Sequence, residues 1–135
     1  KAIVPIITQA RATPWVSAYW HAMRKPILES TTDDARRDAL CRCLYHFLIM
    51  TRHWLWYQSA FENDTQELHR WMDAEARRIA GLWHPFDFVF QTYAEDDYDL
   101  THATSVSSLE DALSLIEARV LLVPSATDIL HPASE

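Results

Sequence analysis

Two short runs rich in apolar and β-branched residues stand near opposite ends of this chain, Ala2–Thr8 (AIVPIIT) and Arg119–Val123 (RVLLV). Each has the composition of a buried strand. Between them the apolar residues recur at helical spacing. Two strands separated by a long helical excursion fit a parallel sheet, because parallel neighbours need a crossover that a tight turn cannot supply. The excursion is too long for one crossover, so the excess is expected to form a helical insertion lying over the sheet as a cap. The fold expected is α/β in three parts. Residues 1–28 supply a core strand and its following helix, residues 29–94 the cap, and residues 95–135 the return to the core with the second strand. Pro5 lacks the donor that a central strand uses, so an edge position or a bulge is expected there.

The helical signals are local. Thr13 followed by Pro14 has the form of a helix start, and Pro26 is expected to end that helix near Leu28. Thr32 or Asp33 caps a long helix from about Asp34 to Ala60, with a stripe through Leu40, Leu44, Phe47, Leu48, Thr51, Leu55 and Gln58. Asp64 or Thr65 starts a third helix to about Trp83, and His84-Pro85 starts a fourth through FDFVFQTY. Residues 101–106 read as loop. Ser107 and Glu110 have capping-box spacing before LEDALSLI.

Composition excludes several functions. The 135 residues, nearly half of them apolar, suit one globular core. A net charge of −7 argues against a nucleic-acid partner. No apolar run approaches the roughly 18 residues of a membrane span, and no secretory signal opens the chain. Cys41 and Cys43 would point about 200° apart on a helix, poor geometry for a mutual disulfide, so reduced thiols in a cytoplasmic setting are expected. The single glycine, Gly81, leaves no glycine-rich phosphate loop and no G-x-S-x-G nucleophile turn within the chain. No H-E-x-x-H or C-x-x-C is present, and His46, His53 and His69 lack metal-type spacing, so no metal site is expected. Glu95–Asp99 lacks the glycine and final glutamate of an EF-hand loop and reads as a solvated run. Arg77 and Arg78 read as an exposed helix face, and the tryptophan and tyrosine stripes as cap packing.

Ligands of open parallel sheets bind beyond the carboxyl ends of the strands. Two loops leave such ends, Gln9–Thr13 and Pro124–Asp128. Gln9, Arg11 and Thr13 are therefore candidates to line a site, with Arg11 either pairing a substrate carboxylate or solvating its loop. Asp128 has the placement of a triad acid, which accepts the imidazole N–H, fixes its tautomer and stabilises the imidazolium. From spacing alone, a local role as a cap or loop hydrogen-bond acceptor has the stronger claim. His131 is too close in sequence to form the His–Asp hydrogen bond with Asp128.

The stretch RVLLVPSATDILHP resembles the acid-bearing segment of the homoserine O-acetyltransferase group of α/β-hydrolase-fold proteins. Ile116, Ala118, Val120, Leu122, Ser125, Asp128, Leu130 and Pro132 occupy its pattern. AIVPIITQARATPWVSAYWHAMRKPIL resembles the strand and helix that follow the nucleophile elbow in that group, and WHPFDFVFQTYAEDDYDL the segment where its cap returns to the core. Residues 29–78 lack the family's glycine-containing cap motifs. The resemblance implies that Asp128 is the triad acid, with the serine upstream of Lys1 and the histidine downstream of Glu135. The chain opens inside a strand-like run and stops where a helix should begin, which adds to the expectation of a portion of a longer protein, inactive alone. The implied reaction is ping-pong acyl transfer from acetyl-CoA or another acyl-CoA to the hydroxyl of a small-molecule acceptor, with no bound cofactor. A simple esterase, a degenerate relative and a non-catalytic helical interaction module remain alternatives. The apolar, tryptophan-rich cap is a candidate homodimer surface.

Overall fold

The computed structural model describes residues 1–6 and 9–131. The described chain is mostly helical. Strand β1 (Ala2–Ile3) is followed by α1 (Pro14–Glu29), α2 (Asp33–Met50), α3 (Trp54–Phe61), α4 (Thr65–Ala80), α5 (Pro85–Asp96), α6 (Leu100–Thr104) and α7 (Leu109–Ser114), and then by strand β2 (Arg119–Val120). The chain divides into two compact units, residues 1–17 with 94–135, and residues 18–93.

Residues 18–93 form a helical unit with a continuous apolar core. On α2, Ala39, Leu40, Cys43, Leu44 and Leu48 are buried. Their three- and four-residue spacing makes one stripe, which packs against α4 through Ala76 and Ala80. Trp20, Met23, Ile27, Phe88 and Val89 complete the core. The Tyr45 hydroxyl donates to Asp73 Oδ1 at 2.8 Å, adding a polar tie between α2 and α4. A second cluster joins α3 to α4. Trp56, Tyr57, Phe61 and Trp71 meet at ring-centroid distances of 5.1 to 6.2 Å, and the Arg52 guanidinium lies over both Trp56 and Trp71. The aromatic stripes are thus packing surfaces within the helical unit. Arg78 is exposed and forms a bidentate pair with Glu75.

The expected long second helix is two helices. At Thr51 the hydroxyl back-bonds to Phe47 O at 2.9 Å, and His53 turns extended so that its Nδ1 accepts the Leu55 N–H at 3.2 Å. Tyr57 satisfies a freed α2 carbonyl by donating its hydroxyl to Leu48 O at 2.7 Å. The periodicity continues across the break because Leu48 and Leu55 keep helical spacing, while the histidine cap leaves no mark on that pattern. Pro26 does not end α1 either. It stands in the last turn, where only one internal donor is lost, and the helix runs on to Glu29.

In the strand-bearing unit, β1 and β2 pair in parallel with Ala2 opposite Arg119 and Ile3 opposite Val120. The ladder is extended by Leu121 N–H to Ile3 O, Val123 N–H to Pro5 O and a bridge between Ile6 and Val123. Pro5 accepts through its carbonyl, and its missing N–H accounts for the gap between the two paired stretches. The strand expected over 2–8 is therefore broken, and its last two residues lie outside the described ones. The expectation of buried strands is corrected more sharply. Val4 is 55 % exposed, Ile6 66 %, Leu121 61 % and Leu122 64 %.

Two helix boundaries in this unit also differ. Asp99 caps α6 through Thr101, turning the expected loop into a helical turn. Helix α5 ends at Asp96, within the acidic run where its end is expected. The N-cap of α7 is Ser108, paired with Asp111 three residues on, one residue beyond the expected pair. The Asp111 N–H donates to Ser108 Oγ, and that hydroxyl donates to the Asp111 carboxylate at 2.6 Å.

Candidate functional site

The carboxyl ends of the two parallel strands lead into the two loops that carry the candidate residues. Both loops belong to one unit and are tied together. Trp15 Nε1, at the start of α1, donates to Ile129 O in the loop after β2 at 2.8 Å. The first loop is also fastened beside Asp99, where Ala12 N donates to Tyr98 O and Leu100 N to Ala10 O, at 2.8 and 2.9 Å.

Asp128 is half-buried in a turn closed by its own N–H to Ser125 O at 3.3 Å. Its Oδ1 accepts two backbone N–H groups, from Leu130 and His131, both at 2.8 Å. The local role anticipated for this carboxylate is therefore present. Only one oxygen performs it: among the described residues, Oδ2 has no hydrogen-bond partner. An ionised carboxylate accepts through both oxygens, so Oδ2 can accept a further hydrogen bond. Pro132, the last residue of the acid-bearing pattern, and the helix expected to begin there lie outside the described residues.

Arg11 is exposed and forms an antiparallel bridge with Asp99. The Asp99 carboxyl is held below its ordinary range, first by the Thr101 hydroxyl and backbone N–H and in smaller part by the charges of His102 and Arg11. The Arg11 charge thus has an acidic neighbour in its own unit. Thr13 accepts the Val16 N–H through Oγ1 at 3.4 Å, at the start of α1.

Two residues gain importance that sequence reasoning did not give them. His131 is four-fifths buried, and its Nε2 lies 3.7 Å from Glu95 Oε1. Glu95, read as part of a solvated run, is partly buried, with 28 % of its side chain exposed. The return of the chain after β2 makes this pair, a long-range event with no local sequence signal. Gln9 is half-buried, and both atoms of its carboxamide, together with His131 Nδ1, are shielded from solvent without a partner among the described residues.

Among the described residues, no group of three or more His, Cys, Asp or Glu is placed to hold a metal ion. None of the described helices is long and apolar enough to cross a membrane. Neither a protein-family model nor a curated protein matches the chain.

Proposed function

We propose that this chain supplies the acid-bearing loop and the helical cap of a cytoplasmic serine-dependent acyltransferase of the homoserine O-acetyltransferase type, built on an α/β-hydrolase fold. Acyl passes from acetyl-CoA or another acyl-CoA to a serine, then to the hydroxyl of a small acceptor. Asp128 orients the histidine that serves both steps. The serine and histidine come from residues outside this chain. The observation that carries the reading is Asp128 itself: it follows a parallel strand, one carboxylate oxygen secures its loop, and the other is unengaged among the described residues. The uncovered apolar strands support the same reading, because parallel strands occur almost only in sheets covered on both faces. Exposed Trp54 and Leu55 on α3 support pairing of two copies through the cap.

The test is pre-steady-state acylation of the intact protein. With p-nitrophenyl acetate, the reading expects a burst of nitrophenol stoichiometric with enzyme, an acetyl adduct on one serine, and ping-pong kinetics with acetyl-CoA and L-homoserine. A burst that water alone resolves, with no gain from homoserine, would make the protein an esterase. Absence of both burst and adduct would leave a non-catalytic interaction module, a reading favoured by the same exposed Trp54 and Leu55.

A further inference from the structure

The peptide unit between Ile129 and Leu130 is hydrogen-bonded at both ends. Its carbonyl, Ile129 O, accepts the Trp15 indole N–H at 2.8 Å, and its amide, Leu130 N–H, donates to Asp128 Oδ1, also at 2.8 Å. A peptide unit is planar and rigid, so a donor that fixes its oxygen also fixes the direction of its N–H. The Trp15 indole therefore reaches the Asp128 carboxylate through one rigid link. The two bonds also reinforce each other, because hydrogen bonds in a chain polarise one another. The His131 N–H is a second donor to the same Oδ1, at 2.8 Å. With Oδ1 held by two backbone donors, the direction of Oδ2 follows from where the loop backbone stands.

The loop supplies little of that anchorage from within. Its closing bond, Asp128 N–H to Ser125 O, is long at 3.3 Å, and Ile129 is 52 % exposed, so packing does not hold the carbonyl at that residue. The fastening comes from Trp15, 114 residues away in sequence. Trp15 stands in the first turn of α1, where its neighbour Val16 is fully buried and donates its N–H to Thr13 Oγ1. The indole is thus mounted on a helix start that is itself fixed.

We propose that Trp15 is a positioning residue for Asp128, setting through the Ile129–Leu130 peptide the direction in which Oδ2 meets the triad imidazole. The proposal rests on the acyl-transfer reading and adds to it a residue outside the triad.

The experiment uses the intact protein with acetyl-CoA and L-homoserine. Trp15→Phe removes the donor and keeps an aromatic ring. It lowers kcat about tenfold, the effect of one hydrogen bond, and leaves the acetyl-CoA KM within about twofold of wild type. Replacing the indole by benzothiophene, which keeps the fused ring and loses only the N–H, gives the same fall and separates the donor from any packing that phenylalanine changes. The second readout is a double-mutant cycle. In an Asp128→Asn background, Trp15→Phe costs less than about twofold in kcat, since a residue that acts through Asp128 has nothing further to lose. A residue with a purely structural role would cost the same factor in both backgrounds. Equal losses in the two backgrounds, or an unchanged kcat with benzothiophene at position 15, overturn the proposal even if the acyl-enzyme forms normally. Failure of the wild-type protein to form an acyl-enzyme removes the acyl-transfer reading and the positioning role with it.

Discussion

Leucines in α2 and leucines beside β2 are the same side chains in opposite circumstances. Leu40, Leu44 and Leu48 are fully buried, each stacked on the next turn of one helix face. Leu121 and Leu122 lie between the two paired stretches of the parallel ladder, and both are more than half exposed. A helical bundle closes its core with its own elements, and residues 18–93 do so. A parallel pair has two faces and two edges to cover, and this pair has a partner at one edge of each strand. Burial of a leucine stabilises by about 2 kcal/mol. The strand-bearing unit leaves that stabilisation unrealised at Val4, Ile6, Leu121 and Leu122.

The contrast can be broken by substitution. Leu44→Ala removes a fully buried side chain and should destabilise by about 2–5 kcal/mol, seen as a large drop in the urea midpoint. A loss below about 1 kcal/mol, well under that range, would mean that the helical core is loosely packed.

Cys43 gives a chemical probe of the same core. Its Sγ donates to Met23 O at 2.7 Å, and burial pushes the thiol up to about 11. A raised thiol contributes stability that is intact below its ordinary value and is lost as pH rises through about 11. At pH 8.5, iodoacetamide should therefore modify partly exposed Cys41 first and Cys43 only on unfolding, as peptide mass mapping would record. Equal rates at the two sites would contradict the packing around Cys43.

Smaller effects belong to the strand-bearing unit. Ser105 caps α6 in the left-handed region at φ 57°. Ser105→Gly should stabilise by about 1 kcal/mol, because glycine adopts this conformation without steric cost. A decrease in Tm would argue against that backbone. Smallest of all, Leu122→Ala in the isolated chain should change stability by no more than about 0.5 kcal/mol, as exposed positions do. A cost matching that of Leu44→Ala would mean that the strand is covered, and the contrast would fail.

Legibility in the sequence followed the range of the interactions. Caps at Thr32 and Asp64 were readable because the Ala35 and Glu67 N–H groups they accept lie three residues on. The parallel pairing of the end strands was readable from composition and from the long helical stretch between them. The break at Thr51–His53 was not, because a histidine ring serving as a cap does not interrupt apolar spacing. Strand exposure was not readable either, since a β-branched run specifies what a strand prefers to bury and not what covers it. At the candidate site, the capping role of Asp128 was local and anticipated. The meeting of His131 with Glu95 and the burial of the Gln9 amide depend on how distant segments return, which no window of sequence contains.

Asp128→Asn tests the central claim most directly, because asparagine keeps an oxygen for the Leu130 and His131 N–H groups while its amide replaces the second acceptor. Paired measurement of Tm and kcat in the intact protein should show Tm nearly unchanged and kcat reduced by about four orders of magnitude, the loss typical of a triad acid exchanged for its amide. Near-normal turnover, with or without a fall in Tm, would return Asp128 to a purely structural role and contradict the account.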